Sequence, residues 1–268
     1  MKRRRVLVIG ASSGIGRSIA NAAAAANCRV AVVARRQVQL AQVLKECGGD
    51  GVAITADVTD EGDCQRLASE ASAELGHLDA VFYAAGVSPL VPTGQLTADA
   101  WLAALRVNAI GASLAMKACI PHMSSVGVIA YLSSTSLTKK RHGGIVYQAS
   151  KAAMEEALVV LRVEHPSCRF VNVSVGATVG TELARDRDPA LARLLAPEWA
   201  KRGLVSENFM HATPLGQTIF RMIEPVLDYP SANVTEIRIE ESGSGPADAS
   251  RLGGEHPNSQ TAYATQEA

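Results

Sequence analysis

Short runs of β-branched and other apolar residues recur along this chain, and helix-like stretches separate them. The runs are Val6–Ile9, Val30–Val33, Val52–Thr55, Ala80–Tyr83, Val126–Leu132 and Phe170–Val173. The stretches between them are amphipathic or rich in alanine, namely Ile15–Ala26, Gln37–Cys47, Glu61–Leu75, Ala98–Met123 and Tyr147–Val163. This alternation predicts parallel strands joined by right-handed helical crossovers, in a sheet covered on both faces. We therefore predict a single α/β domain of three layers with a doubly wound parallel sheet.

The predicted domain spans residues 1–241, and the composition changes after it. An alternating stretch, Val234–Ile239, predicts one more strand near the end of the domain. Residues 242–268 are polar and rich in glycine, serine and proline, so we expect a disordered tail. The alternative is a tail that closes over the pocket of a neighbouring subunit.

The charge balance and the cysteines exclude several classes of protein. Lysine plus arginine and aspartate plus glutamate each number 26, which argues against nucleic acid or an anionic membrane as a partner. The five cysteines are scattered without a Cys-x-x-Cys pair, and the histidines form no pair at ligand spacing, so we expect reduced thiols and no metal site. The first apolar run ends at Gly10, too soon for a signal peptide, and no apolar run reaches the roughly 18 residues of a membrane span. We expect a cytoplasmic protein.

A glycine-rich turn follows the first predicted strand, and a predicted helix begins directly after it. The turn reads Gly10-Ala11-Ser12-Ser13-Gly14-Ile15-Gly16, with the spacing Gly-x-x-x-Gly-x-Gly. Glycine permits a tight turn and a close approach of the backbone to a pyrophosphate, and the helix N-terminus offers N–H groups to that anion. The turn therefore predicts a dinucleotide site.

The end of the second predicted strand indicates which dinucleotide is bound. An NAD ribose is usually held by Asp or Glu about 20 residues past such a turn, but this chain has Ala34-Arg35-Arg36 there. Because arginine binds phosphate bidentately, we expect NADP(H), with Arg35 on the 2′-phosphate and Arg36 second. NAD(H) is the alternative, in which the arginines only begin a surface helix. Arg17 is a third candidate for the phosphate.

Five elements, in order, resemble the short-chain dehydrogenases/reductases over nearly all of residues 5–240. They are the glycine turn, Asp57-Val58, Ala84-Ala85-Gly86, Val107-Asn108, and Ser134 followed thirteen positions later by Tyr147-Gln148-Ala149-Ser150-Lys151. The resemblance implies a Rossmann-type fold and a homodimer or homotetramer. It also implies that Asp57 and Val58 bracket the adenine and that Ala84, Ala85 and Gly86 line the dinucleotide channel. Asn108, Ser134, Tyr147 and Lys151 would form a catalytic tetrad, in which Lys151 also holds the nicotinamide ribose.

The spacing of Tyr147 and Lys151 supports this reading independently. Residues four positions apart share one face of a helix, so both side chains are expected to enter the same crevice. A nearby ammonium favours the phenolate, and we therefore expect Lys151 to lower the pKa of Tyr147 toward neutrality. Ser134 is expected to hydrogen-bond the reacting oxygen, although Ser133, Thr135 and Ser136 are rivals for that role.

Two regions depart from the family pattern. Val175 replaces the proline expected before Gly176, a candidate cofactor residue, and we leave open whether Thr178 or Thr181 meets the nicotinamide. At the end of the domain, Glu240-Glu241-Ser242-Gly243 replaces the Asp-Gly-Gly of the family.

The segment Thr181–Leu215 lies where the family has its substrate loop. It mixes leucines, Trp199 and charged residues, which predicts an amphipathic lid over an apolar pocket. The alternative is that these residues only pack the segment onto the body of the domain.

The sequence thus predicts an NADPH-dependent oxidoreductase that interconverts a carbonyl and a secondary alcohol on a mostly apolar small molecule. Tyr147 would be its general acid/base. The alternative is a non-catalytic protein that senses NAD(P) on the same fold.

Overall fold

A computed structural model describes residues 3–185, 187–205 and 208–242, and its centre is a seven-stranded parallel sheet. The seven strands lie in the order β3-β2-β1-β4-β5-β6-β9, and every neighbouring pair is parallel. Their bounds are β1 Arg5–Ile9, β2 Arg29–Ala34, β3 Gly51–Thr55, β4 Leu78–Tyr83, β5 Met123–Ser134, β6 Arg169–Val175 and β9 Glu236–Ile239. Two short strands, β7 Thr178–Val179 and β8 Met210–His211, form a separate pair. The predicted doubly wound sheet is confirmed.

Within the described residues, eight α-helices lie between these strands. They are α1 Gly14–Ala25, α2 Gln37–Glu46, α3 Glu61–Leu75, α4 Ala98–Leu105, α5 Gly111–Cys119, α6 Ile145–Glu164, α7 Pro189–Lys201 and α8 Ala212–Ile223. Alternate residues of β1 bury opposite faces of the sheet, because side chains along a strand alternate. Val6 and Val8 join the core under α1, α2 and α8, whereas Leu7 and Ile9 join the core under α3, α5 and α6. The three predicted layers follow from this burial.

The predicted helix Ala98–Met123 differs from the structure in its middle and at its end. A π-helical turn, Arg106–Ile110, separates α4 from α5, and a short 3₁₀ turn follows α5. π turns occur mostly as single insertions in helices and often at functional sites. The stretch Ala98–His122 is long and apolar enough, by length and composition alone, to cross a membrane. In this fold α5 packs on α3, and 44% of the 18-residue apolar window within this stretch is buried.

The predicted lid, Thr181–Leu215, contains two different parts. Its middle forms α7, where Trp199 is buried and Leu194 is exposed. Its end enters α8, which packs on α1, so Leu215 is a core residue and does not belong to a lid. The strand expected near residue 236 is present as β9 at the edge of the sheet. The predicted tail, residues 242–268, lies outside the described residues apart from Ser242.

Candidate active site

The glycine turn places backbone against backbone at the carboxyl end of β1. Gly10 has a φ of 92°, and a Cβ atom there would lie 2.7 Å from the carbonyl carbon of Ala84. A Cβ atom on Gly16 would clash with the carbonyl oxygen of Gly10. Helix α1 begins at Gly14, and its cap residue Ser13 makes no side-chain hydrogen bond to the helix. The turn is thus a cradle that lacks Cβ atoms at Gly10, Gly14 and Gly16 and lies at the positive end of a helix dipole, which fits a pyrophosphate.

A cleft opens beside this turn along the carboxyl ends of the strands. Among the residues predicted from the sequence, those that line it are Gly10, Ser12, Ser13, Gly14, Ile15, Gly16, Arg35, Arg36, Asp57, Val58, Ala84, Ala85, Gly86, Tyr147, Lys151 and Thr181. The predicted adenine, ribose and nicotinamide positions therefore belong to one continuous cleft. Open α/β sheets bind ligands at this edge.

The three candidate arginines differ in what they contact. The Arg35 side chain is 58% exposed, and its Nη1 lies 4.0 Å from the Asp57 carboxylate. Arg36 donates to the Ser12 hydroxyl at 3.0 Å and to the Glu182 carboxylate at 3.1 Å. Arg17 donates from Nε to Glu46 at 2.9 Å and does not line the cleft. The suggestion that Arg17 meets the phosphate is therefore wrong, because Glu46 holds its guanidinium elsewhere.

A strap formed by Thr181, Glu182 and Leu183 crosses the cleft over the glycine turn. A Cβ atom on Gly14 would lie 3.3 Å from Thr181, and the Ser13 hydroxyl donates to Glu182 at 3.2 Å. The Arg36 guanidinium also lowers the pKa of Glu182, chiefly through its hydrogen bond. Sequence reasoning missed Glu182, because its partners lie about 150 positions earlier in the chain.

Tyr147 lies in the first turn of α6 and is 8% exposed. Burial raises the pKa of its phenol, whereas a hydrogen bond with Ser134 and the charges of Arg187 and Arg141 act to lower that pKa. Among the described residues, Lys151 is not one of the groups that lower it. The expectation that Lys151 brings the pKa of Tyr147 toward neutrality is therefore wrong for this structure, because desolvation dominates.

The Lys151 ammonium is directed toward the sheet. Its Nζ donates to the backbone oxygen of Leu132 at 2.7 Å and lies 4.6 Å from the centre of the Tyr131 ring. Burial lowers the pKa of Lys151 to about 7, although the Glu155 carboxylate acts to raise it. An amine that titrates near neutral pH can exchange protons with the cleft under physiological conditions.

Asn108 is fully buried in the π-helical turn. Its Oδ1 accepts from the Val87 N–H at 3.0 Å, and its Nδ2 donates to the Val87 oxygen at 2.8 Å and to the Ser150 hydroxyl at 2.9 Å. A Cβ atom added to Gly86 would lie 3.3 Å from Asn108 Oδ1 and 3.7 Å from Lys151 Nζ, so these two polar atoms are close to each other. Asn108 thus lies near Lys151 but does not line the cleft, and it fixes the loop after β4.

The rivals of Ser134 differ in their contacts. The Ser133 hydroxyl donates to Glu155, and Thr135 accepts through its backbone oxygen from the Thr138 hydroxyl. The buried Ser136 hydroxyl has no hydrogen-bond partner among the described residues. The Ser134 hydroxyl accepts from the Ser136 N–H at 3.2 Å, and of the four candidates it is the one that acts to lower the pKa of the Tyr147 phenol.

Two predicted cofactor residues stand apart from the cleft. The Thr178 hydroxyl donates to the Gly176 oxygen at 3.0 Å. The buried Glu241 carboxylate lies against Gly176 and accepts from the Ala177 N–H. The structure therefore does not bring Gly176 and Thr178 to the cofactor cleft, whereas Thr181 lines it. Without the proline, the turn after β6 directs Thr178 back onto its own backbone.

The five cysteines are all buried and none forms a disulfide, as predicted. Burial raises the pKa of Cys28, Cys47, Cys64 and Cys168 to about 11 and that of Cys119 to about 12. Nucleophilic thiolate chemistry is consequently disfavoured at neutral pH.

Comparisons with known proteins agree with this geometry. A family model described as short chain dehydrogenase matches residues 4–192. An uncharacterized oxidoreductase of Listeria monocytogenes is 32% identical over 169 residues, which cover 61% of this chain and 68% of that protein. The cis-4-hydroxycyclohexanecarboxylate dehydrogenase of Sinomonas cyclohexanicum is 31% identical over 157 residues, covering 58% of this chain and 61% of that protein.

A solved structure extends the likeness to the whole fold. The alcohol dehydrogenase of the archaeon Thermococcus sibiricus, complexed with 5-hydroxy-NADP, superimposes with a TM-score of 0.75. The match covers 91% of this chain and 98% of that one, at 18% identity. At this identity the likeness concerns the fold alone.

Proposed function

Because the chain belongs to the short-chain dehydrogenase family and is an oxidoreductase of CH–OH and C=O groups, we propose a more specific activity. The protein interconverts a carbonyl and a secondary alcohol on a mostly apolar small molecule, with NADPH as its cofactor and Tyr147 as general acid/base. The observation that carries this proposal is one cleft lined by the glycine turn, Arg35, Tyr147 and Lys151.

The lining of the cleft fits the dinucleotide from end to end. The glycine cradle would hold the pyrophosphate, and Asp57 with Val58 would flank the adenine. Arg35 would contact the 2′-phosphate, since its guanidinium is exposed and only loosely paired. Thr181 is the better candidate for the nicotinamide end, because Thr178 is held outside the cleft.

The catalytic residues divide the proton chemistry between them. When bound, the nicotinamide supplies the hydride in reduction and accepts it in oxidation. Tyr147, kept protonated at neutral pH by burial, donates its proton to the carbonyl oxygen in reduction and accepts the alcohol proton in the reverse direction. Ser134, which acts to lower the pKa of the phenol, would hydrogen-bond the reacting oxygen, and Lys151, whose pKa is about 7, would exchange protons with the cleft. Asn108 holds the loop that forms the wall behind Lys151.

The test is NADPH oxidation with a panel of ketones. Tyr147→Phe removes the proton donor but keeps the ring, and we expect a loss of about a hundredfold or more in turnover. The control is Tyr229→Phe, because Tyr229 is exposed and distant from the cleft lining. Equal turnover by wild type and Tyr147→Phe would overturn the assignment. A cytoplasmic location and a homo-oligomeric state stay predictions.

A further inference from the structure

Two partly buried arginines lie beside the catalytic tyrosine, outside the residues assigned to the cofactor. Arg141 precedes α6, and its Nε donates to the Leu204 backbone oxygen at 3.2 Å. Arg187 follows the strap, and its Nε donates to the Ser88 backbone oxygen at 2.8 Å, while its Nη2 donates to the Ser88 hydroxyl. Each guanidinium is thus anchored along one edge.

Backbone hydrogen bonds bring the loops that carry these arginines together. The Val91 N–H donates to the Gly143 oxygen at 2.7 Å, which joins the loop after β4 to the loop before α6. The Ser88 N–H donates to the Leu183 oxygen at 3.2 Å, which joins the same loop to the strap. Arg141 and Arg187 are therefore positioned by one junction of three loops.

An apolar wall lies at the same junction. A Cβ atom on Gly143 would lie 2.7 Å from a methyl group of Leu90 and 3.1 Å from one of Leu195. The two leucines thus meet over Gly143, two positions beyond Arg141. The junction offers an apolar surface together with cationic groups.

Within the described residues, the two arginines form no salt bridge with a carboxylate, whereas other arginines do. Arg5 pairs with Asp79, and Arg29 pairs with Asp50 and Glu74. Within residues 3–185, 187–205 and 208–242, neither Arg141 nor Arg187 forms a salt bridge, and the hydrogen bonds given above are the only ones their side chains donate.

If Arg141 and Arg187 only stabilised the fold, we would expect more of their N–H groups to donate hydrogen bonds to the protein. Arg169 lies in a comparable, partly buried position and donates to the backbone oxygens of Val226, Tyr229 and Ala232, so that its terminal nitrogens are occupied. By contrast, both Nη atoms of Arg141 and the Nη1 atom of Arg187 donate no hydrogen bond to the part of the chain that the structure describes. Partly buried guanidinium groups with open nitrogens are costly unless an anion completes them.

The local field at Tyr147 agrees with this reading. Burial lowers the pKa of both arginines, and Arg141 acts to lower that of Arg187 further, as expected for like charges placed close together. The buried Glu241 carboxylate acts in the opposite direction on Arg141, without forming a salt bridge with it. Both charges also act on the Tyr147 phenol. Helix α6 begins four positions after Arg141 and has no side-chain cap, so its positive end adds to the same field.

We propose that the substrate carries a carboxylate and that Arg141 and Arg187 bind this group. Tyr147 exchanges a proton with the reacting oxygen at the other end of the substrate. This inference rests on the proposed function and specifies its substrate class as a hydroxy acid or oxo acid with an apolar body. Arginine suits the task because its planar fork matches the two oxygens of a carboxylate.

The first experiment measures binding and needs no turnover. Benzoate, a carboxylate on an apolar ring, and benzamide, its neutral counterpart, are titrated into the full-length protein by calorimetry, with inorganic phosphate as a third probe. We expect benzoate to bind and benzamide to bind at least about tenfold more weakly, since hydrogen bonds to charged groups contribute that much. Phosphate binding tighter than benzoate binding would overturn the carboxylate assignment.

The arginines are then varied one at a time. Arg141→Gln and Arg187→Gln should each weaken benzoate binding about tenfold and leave benzamide unchanged, whereas Arg187→Lys, which keeps the charge, should retain part of the affinity. Arg193→Gln, on the exposed surface of the neighbouring α7, is the matched control. Thermal unfolding of each variant checks that the fold is intact. Wild-type affinity for benzoate in both glutamine variants would overturn the proposal.

Turnover then separates this inference from the proposed function. Levulinate and methyl levulinate present the same ketone with and without the charge, and we expect kcat/KM of the wild type to favour the acid by about tenfold. Arg187→Gln should remove this preference. A protein that reduces the ester as well as the acid keeps its proposed function but refutes the carboxylate site. A protein that binds benzoate through these arginines but reduces no ketone keeps the anion site and loses the proposed function.

Discussion

The Nζ atom of Lys151 lies 2.7 Å from the backbone oxygen of Leu132, at the carboxyl end of β5. This hydrogen bond directs the ammonium toward the sheet, where the Tyr131 ring also contacts it. The lysine is consequently a buried cation with a lowered pKa, and the phenol of Tyr147 is a buried acid with a raised pKa.

The lowered pKa of Lys151 predicts a pH dependence of stability. The pKa of Lys151 is about 7 in the folded protein and about 10.4 for an unperturbed lysine. Between these values the unfolded state binds more protons, so the contribution of Lys151 to stability rises with pH, by up to about 1.4 kcal/mol per pH unit. Below pH 7 both states are protonated, and the cost of burying the charge is constant.

Urea unfolding of wild type and Lys151→Met at pH 7, 8 and 9 checks this sign. The difference in free energy of unfolding, wild type minus variant, should increase with pH. Lys140→Met is the control, because Lys140 is exposed. For this variant the difference in free energy of unfolding from wild type should not change with pH. A difference for Lys151 that does not change across this range would contradict the prediction.

The contact between Glu182 and Arg36 predicts a variant with tighter cofactor binding. The carboxylate occupies a guanidinium that a 2′-phosphate would use and adds negative charge beside the glycine turn. Glu182→Gln should therefore raise NADPH affinity, by about two- to fivefold for an exposed ion pair. NADPH fluorescence titration measures it. The control is Glu198→Gln, which removes an ion pair between α7 and Arg202, the residue directly after that helix. This variant should leave NADPH affinity unchanged. Weaker binding by Glu182→Gln would show that the carboxylate helps to hold the cofactor.

Arg35 is expected to set the choice between the two dinucleotides. Arg35→Ala should weaken NADPH binding by about 10- to 100-fold, because a charged hydrogen bond to phosphate is lost, and leave NADH binding unchanged. Arg17→Ala is the control, since Glu46 holds that guanidinium outside the cleft. An equal loss of affinity for NADPH and NADH in Arg35→Ala would mean that Arg35 does not bind the 2′-phosphate.

The glycine turn predicts a strict steric requirement. An added methyl group at Gly16 would meet the backbone of Gly10, which cannot move like a flexible side chain, whereas one at Gly94 would meet nothing within 4 Å. Gly16→Ala should therefore lose about 1–3 kcal/mol of stability and bind NADPH poorly, since overpacking forces backbone shifts. Gly94→Ala should resemble wild type in both measurements. Normal NADPH binding by Gly16→Ala would rule out the cradle.

Much of this protein is readable from its sequence because the signals are local. The parallel sheet follows from the alternation of apolar runs and amphipathic stretches. The cradle follows from Gly10, Gly14 and Gly16, since their conformational freedom is a property of the residue itself. The common face of Tyr147 and Lys151 follows from helical geometry, which depends only on spacing.

Other features depend on residues that are distant in the chain and meet only in the fold. Glu182 reaches Ser13 and Arg36, and Arg187 reaches Ser88, through contacts that no local pattern encodes. The direction of the Tyr147 pKa likewise depends on how much water the surrounding elements exclude. Sequence alone thus determined the sheet, the turn and the order of the candidate catalytic residues. The tertiary structure decided which charges lie together and how strongly they are desolvated, because both quantities depend on through-space distance and burial.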